Sequence, residues 1–142
     1  MNIFEKYLEI IYKLIKDESN KSKIILPNNL SSITVEIPPK KFDCDLSTNV
    51  ALVLSKINNK PPLVLAEQIK ERLSEISDIN EIKIANPGFI NIKLKNNYWG
   101  LFAKDILSNK KDYGANLKEK KISYLIEFVS ANPTGPLHVG HC

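Results

Sequence analysis

Apolar residues recur every three or four positions in four stretches of the chain, which is the period of an amphipathic α-helix. The first predicted helix covers about residues 2–17, where a polar run ends it. The second covers about residues 50–57, and the third opens at Pro61-Pro62, a favoured start for a helix. The fourth spans about residues 97–108.

Strict alternation of apolar and polar residues predicts half-buried strands elsewhere. Residues 33–37 alternate until Pro38-Pro39 stops the strand. Residues 82–84 and 90–94 alternate on either side of the turn former Asn86-Pro87-Gly88, which predicts a β-hairpin. Since these elements lack regular βαβ alternation, we predict an α+β domain with helices packed on a small, mostly antiparallel sheet.

The pattern changes after a lysine-rich segment. Residues 122–129 are almost continuously apolar, which is typical of a strand covered on both faces of a parallel sheet, and turn formers fill residues 130–136. A parallel strand needs partner strands, so we expect this part to be the start of a larger, truncated unit. The predicted divisions are a first domain over residues 1–110, a basic linker over 111–120 and the start of a second domain over 121–142.

The composition, with 43% hydrophobic and 25% charged residues, fits a globular chain and excludes a disordered one. No apolar run approaches the roughly 18 residues that span a bilayer, and the charged start is unlike a signal peptide. Two cysteines, Cys44 and Cys142, cannot build a disulfide framework, which favours a cytoplasmic location. The net charge of +4 lies mainly between residues 104 and 121, which permits a nucleic-acid partner but equally fits a solvated connector.

Two histidines follow the apolar stretch. His138 and His141 are three residues apart, on one face of a predicted helix start, beside the small residues Gly135 and Gly140. Backbone N–H groups at a helix start bind anions, and two imidazoles there can stabilise charge during phosphoryl or nucleotidyl transfer. Two alternatives stay open: zinc binding together with Cys142 and Cys44, and simple capping of the helix.

One face of the predicted hairpin carries groups that suit RNA. If residues 90, 92 and 94 face the core, Phe89, Asn91, Lys93 and Lys95 share the opposite face. An aromatic ring, an amide and two cations can hold a splayed-out base and its phosphates, and Asn86 in the turn adds an amide. The alternative is an ordinary solvated strand face with Phe89 covered by a helix.

Residues 133–141, Pro-Thr-Gly-Pro-Leu-His-Val-Gly-His, resemble the signature of class I aminoacyl-tRNA synthetases. The preceding residues 127–132, Glu-Phe-Val-Ser-Ala-Asn, are similar to the version of the arginyl-tRNA synthetase family. Residues 47–51 and 86–91 extend this resemblance into the first domain. It implies an N-terminal fragment of such an enzyme, in which residues 121–142 begin a Rossmann-like catalytic domain.

The resemblance also implies roles for individual residues. His138 and His141 would contact ATP and stabilise the transition state of arginyl-adenylate formation, while Glu127, Ser130 and Asn132 would line the arginine pocket. The implied ATP-binding signature consists of Pro133, Thr134, Gly135, Pro136, Leu137, His138, Val139, Gly140 and His141. In the first domain, the resemblance places contacts to the D-loop of the tRNA elbow on Asn86, Phe89 and Asn91.

One departure from the family pattern is Leu46, because the family usually has an aromatic residue after the acid at Asp45. We therefore interpret residues 43–49 as packing and capping, with Asp45 or Ser47 as the N-cap of the second helix.

The implied partners are tRNA(Arg), arginine and ATP with Mg²⁺ as substrate, with no tightly bound cofactor, no resident metal and no membrane. The parent would be a cytoplasmic, monomeric ligase, and the 142-residue chain alone is expected to be inactive. The alternative function is a free-standing RNA-binding module whose His-x-Gly-His end is incidental.

Overall fold

The computed structural model describes residues 2–109, 113–114 and 123–126. Within these residues, helices pack on one face of an antiparallel sheet of four strands, so the predicted α+β class of the first domain is confirmed. The elements in chain order are α1 (Ile3–Asn20), β1 (Val35–Glu36), β2 (Leu46–Thr48), α2 (Val50–Asn58), α3 (Pro62–Leu73), β3 (Ile79–Ala85), β4 (Phe89–Leu94) and α4 (Asn96–Asn109).

Helix α1 begins with a capping box. The side chain of Asn2 accepts a hydrogen bond from the Glu5 backbone N–H at 2.8 Å, and the Glu5 carboxylate accepts one from the Asn2 backbone N–H at 3.2 Å. Its apolar stripe, which includes Tyr7, Ile11 and Ile15, is fully buried. The helix ends three residues later than its periodicity predicts, because Glu18 in the polar run has partners beyond the helix.

Glu18 connects the end of α1 to α3. Its side chain is 7% exposed, and one carboxylate oxygen lies 3.1 Å from Arg72 Nε and 3.4 Å from Lys21 Nζ. Burial opposes ionisation of this carboxyl, but the hydrogen bond from Lys21 and the nearby charges of Lys23 and Arg72 outweigh it and lower the pKa of Glu18. A paired, ionised carboxylate therefore links two helices that cover the sheet.

The strands lie in the order β1-β2-β4-β3, with every neighbouring pair antiparallel. Strand β4 is central, and its residues 90, 92 and 94 are buried against the helices, as the alternation predicts. Leu46 of β2 pairs with Ile92, and Ile84 of β3 pairs with Ile90, so these residues share the inner face. The other residues of β4 point to the outer face.

Strand β2 was not predicted, and the predicted N-cap of α2 is wrong. Ser47 lies inside β2, and the Asp45 carboxylate accepts a hydrogen bond from the Leu94 backbone N–H at 2.8 Å. The residue that precedes α2 is Asn49, whose side chain makes no capping hydrogen bond. That side chain accepts from the Thr34 N–H at 2.9 Å and donates to the Ser32 carbonyl at 3.0 Å, which holds the chain leading into β1.

Helix α4 forms as predicted, but most of its apolar side chains are exposed, including Trp99, Leu101 and Leu107. Its buried residue is Tyr98, whose ring makes an edge contact with that of Tyr7 at 6.4 Å between centroids. None of the helices in the described ranges is long and apolar enough to cross a membrane.

The predicted buried strand over residues 122–129 is described only at residues 123–126, which have no regular secondary structure and are exposed. None of the four described strands pairs with this segment, and an apolar segment forms a strand only where a neighbour satisfies its backbone groups. The rest of the predicted second domain, and the loop and helix start within it, lie outside the described residues.

Candidate nucleic-acid interface on the outer face of the sheet

The outer face of the sheet carries a pocket of about 520 Å³ beside the β3–β4 turn. Its base is a row of side chains set by strand register, because Glu36 pairs with Ser47 and Ser47 pairs with Asn91. The hairpin supplies one wall through Asn86 and Phe89. The opposite wall is formed by residues 37–39, 41 and 42 of the β1–β2 loop.

The hairpin wall is fixed by a close contact beneath its turn. The Gly88 N–H donates to the Ala85 carbonyl at 2.8 Å, and Gly88 has φ +151°, a conformation that side-chain-bearing residues rarely adopt. A Cβ at Gly88 would lie 2.7 Å from Pro62 Cβ, at the start of α3. The turn therefore rests directly on α3, which places Asn86 and Phe89 at the pocket.

Phe89 and Asn91 both line this pocket, on the outer face where alternation predicts them. Phe89 is 39% exposed, so it is not covered by a helix. Asn91 is only 1% exposed, yet its side-chain Nδ2 has no hydrogen-bond partner among the described residues. A buried donor without a partner costs about 1–3 kcal/mol, and an acceptor on a bound ligand would remove that cost.

Lys93 shares the outer face of β4 but does not line the pocket. Its ammonium lies 2.9 Å from Asp43 Oδ1 and 3.8 Å from Asp45 Oδ1. The hydrogen bond between Lys93 and Asp43 raises the pKa of Lys93 and lowers the pKa of Asp43, so both stay charged near neutral pH. Lys95 follows β4, is exposed, and also lies outside the pocket lining.

The β1–β2 loop adds a lysine and a phenylalanine to the pocket lining that the sequence analysis missed. Lys41 and Phe42 both line the pocket, and Lys41 Nζ lies 4.9 Å from the centroid of the Phe42 ring. The signal was present as an aromatic residue directly after two lysines and two prolines. The pattern predicted only that the prolines end a strand, because nothing local shows that the loop folds back over the sheet.

The other predicted site residues lie outside the described part of the chain. These are Glu127, Ser130, Asn132 and the signature residues 133–141, with His138 and His141 among them. Cys44 is described, and burial raises the pKa of its thiol. Across residues 2–109, 113–114 and 123–126, no cluster of three or more His, Cys, Asp or Glu side chains could hold a metal ion.

The pocket can bind a planar ring that carries hydrogen-bonding edges. It offers two phenyl groups, Phe42 and Phe89, beside the amides of Asn86 and Asn91. Its volume suits a small molecule or a single nucleobase, and aromatic side chains beside amides are the groups on which unstacked bases are read.

Comparison with known proteins locates this domain within a family. The sequence model for the arginyl tRNA synthetase N-terminal domain matches residues 9–94, which include every residue that lines the pocket.

Similar proteins match over the whole chain. A protein of Pelagibacter ubique (strain HTCC1062) named arginine–tRNA ligase is 57% identical over 143 residues, which cover 100% of this chain and 25% of that protein. Proteins of the same name from Bartonella quintana (strain Toulouse) and Brucella anthropi are 43% and 41% identical over 142 residues, which cover 100% of this chain and 24% of each protein. The chain thus spans about a quarter of the length of the curated relatives it matches.

Proposed function

The chain belongs to the arginyl-tRNA synthetase family, and we propose that its first domain binds tRNA by receiving an unstacked base of the D-loop in the pocket of Asn86, Phe89 and Asn91. Sequence-specific recognition of RNA targets bases that have left the helical stack, because only these expose their edges and faces to protein. Such bases occur at the elbow of a tRNA, where loops meet.

The amide nitrogen of Asn91 is the observation that carries this proposal. Nδ2 is buried beside the pocket and lacks an acceptor among the described residues. A base presents carbonyl oxygens and ring nitrogens that accept hydrogen bonds, so binding would satisfy a donor that is otherwise left unpaired. Phe89 lies on the same face and offers a ring for stacking, which contributes about 1–3 kcal/mol per base.

Lys93 on the outer face and Lys95, the residue after β4, would contact the RNA backbone. Both come after the pocket residues along the chain, so an RNA strand that leaves the pocket in that direction would pass them. Because Asp43 and Asp45 already pair with Lys93, we expect Lys93 to contribute less than an unpaired lysine. Contacts to phosphates release counterions, and the affinity should therefore fall as salt rises.

We propose further that a protein carrying this chain as its N-terminal part is an arginine–tRNA ligase, with ATP and Mg²⁺, arginine and tRNA(Arg) as substrates, acting as a monomer in the cytoplasm. The names of the relatives support this proposal. In such a protein His138 and His141 would bind ATP, and Glu127, Ser130 and Asn132 would bind arginine. The 142 residues alone cover a quarter of those relatives, and we expect them to show no arginine-dependent exchange of pyrophosphate into ATP.

Fluorescence anisotropy tests the binding proposal. A labelled tRNA(Arg) transcript is titrated with the 142-residue chain at low salt, beside the variants Phe89→Ala and Asn91→Ala. We expect Phe89→Ala to weaken binding by about 1–3 kcal/mol, because it removes a stacking surface.

Trp99→Ala is the matched control, since Trp99 is 41% exposed, much like Phe89, but lies on α4 away from the pocket. Its Kd should equal that of the unchanged chain. Equal losses in Phe89→Ala and Trp99→Ala, or no loss in either, would contradict the proposal.

A further inference from the structure

We infer that the β1–β2 loop forms the second half of the same binding site, with Phe42 as a second aromatic surface for the base and Lys41 as the contact for its phosphate. This inference rests on the proposed function of the pocket. It assigns a role to two residues that lie more than forty positions before the hairpin turn in the sequence and form the wall opposite the hairpin.

The two side chains are held together at the pocket. Lys41 Nζ lies 4.9 Å from the centroid of the Phe42 ring, within the range of a cation–π interaction. Phe42 is half-buried and Lys41 is exposed. The ring therefore places the ammonium group beside the pocket, where the backbone of a bound nucleotide would pass.

The backbone of the loop is also restrained by its own residues. Pro38 and Pro39 each restrict their own backbone φ, and the Phe42 N–H donates to the Pro39 carbonyl at 3.0 Å, which closes a tight turn. Binding to a wall that is already ordered loses less conformational entropy than binding to a free loop. A rigid aromatic wall of this kind is what stacking of a planar ring requires.

The charges around the pocket favour the side of Lys41 for the phosphate of a bound nucleotide. Among the described residues that line it, the ionisable side chains are Glu36 and Lys41, of opposite sign. Glu36 would repel a phosphate, and Lys93 lies outside the lining and is paired to Asp43. Lys41 is thus the cation of the pocket, and a base stacked between the two walls would direct its phosphate towards it.

Substitutions at Phe42 test the aromatic wall. Phe42→Leu keeps an apolar side chain of similar bulk but removes the ring, while Phe42→Trp keeps a ring. We expect Phe42→Leu to raise the Kd for labelled tRNA(Arg) by about 5- to 150-fold, and Phe42→Trp to keep most of the affinity. Thermal unfolding followed by circular dichroism identifies any variant that loses its fold. The Kd values of Phe42→Leu and Phe42→Trp are compared when both proteins are folded.

Lys41 has a matched control one residue away. Lys40 is exposed, carries the same charge and does not line the pocket. Lys41→Ala should lower the slope of log Kd against log salt concentration by about 1, as expected for the loss of one phosphate contact, whereas Lys40→Ala should leave it unchanged. Equal changes in the two variants would overturn the assignment of the phosphate to Lys41.

The outcomes separate this inference from the function on which it rests. Loss of affinity in Phe89→Ala and Phe42→Leu together supports both. A loss in Phe89→Ala with none in Phe42→Leu leaves the pocket as an RNA site and overturns the second wall. No loss in either variant, or no measurable binding by the unchanged chain, overturns the proposed function and this inference with it.

Discussion

The two faces of strand β4 differ in almost every property although their residues alternate along six positions. On the inner face, residues 90, 92 and 94 lie in a dry core, where each apolar side chain contacts others of its kind. On the outer face, Phe89 is exposed, the amide nitrogen of Asn91 has no partner among the described residues, and Lys93 is paired with carboxylates. One strand thus serves stability on one side and presents chemical groups on the other.

This difference indicates that the outer face of β4, and not its inner face, tolerates a buried polar group without a hydrogen-bond partner. Every inner residue of β4 is apolar and so needs no hydrogen bond from its side chain, whereas Asn91 is buried at a cost because none of the described residues accepts a hydrogen bond from its Nδ2. Local departures of this kind are expected where a protein keeps a group for a ligand.

Substitutions at two adjacent residues of β4, one on each face, test this difference with the largest expected effect. Ile92→Ala opens a cavity in the core, and we expect it to lower the free energy of unfolding by about 2–5 kcal/mol. Asn91→Ala removes a donor that has no partner among the described residues, and because this relief offsets the packing lost with the side chain, we expect the free energy of unfolding to change by less than about 1 kcal/mol. Urea unfolding measures both. A loss in Asn91→Ala as large as that in Ile92→Ala would make Asn91 a structural residue.

A second test displaces the hairpin wall of the pocket by disturbing the contact between Gly88 and Pro62. Gly88→Ala forces a Cβ against Pro62 and strains a residue with positive φ, so we expect a loss of about 1–3 kcal/mol in the free energy of unfolding and weaker RNA binding.

Gly100→Ala is the control for that test, because a Cβ at Gly100, on the exposed helix α4, meets nothing within 4 Å. Alanine is the better helix former, so Gly100→Ala should raise stability by up to about 1 kcal/mol. The same sign of change in both glycine variants would show that the contact with Pro62 is unimportant.

The smallest expected effect concerns Glu18, a carboxylate on the helical side of the molecule. Its pKa is lowered by folding, so its contribution to stability is full above the ordinary value of 4.5 and is lost as the pH falls through the lowered value. Glu18→Gln should lower Tm by a few degrees at pH 7, and the gap between the two proteins should close in acid.

Glu9→Gln provides the comparison for Glu18, since Glu9 is an exposed carboxylate on the same helix. Its Tm should follow that of the unchanged protein at every pH. A gap between Glu18→Gln and the unchanged chain that stays constant into acid would mean that Glu18 contributes by packing and not by charge.

Periodicity predicted the helices, the hairpin and the inner face of β4, because these features repeat over many neighbouring residues. It missed β2, which is three residues long and too short for alternation to stand out. The sequence also predicted Asp45 or Ser47 as the helix cap, whereas the Asp45 carboxylate accepts a hydrogen bond from the backbone N–H of Leu94, 49 residues later. Contacts across such distances leave no local signal.

The candidate site shows the same division. Alternation alone placed Phe89 and Asn91 on one face, and the turn former placed Asn86 beside them. The pairing of Lys93 with Asp43, the wall formed by Lys41 and Phe42, and the exposure of the apolar side chains of α4 depend on tertiary packing, so the sequence pattern could not predict them.

The pairing of β2 with β4 has a consequence for how the domain acquires its activity. The β3–β4 hairpin is local and can form early, but β1, β2 and their loop join it only through contacts between distant parts of the chain. One wall of the pocket comes from the hairpin and the other from the β1–β2 loop. The pocket therefore forms only after the slower, non-local pairing of β2 with β4. The kinetics with which a refolding chain gains the capacity to bind RNA should therefore follow the closure of the β2–β4 ladder and not the formation of the hairpin.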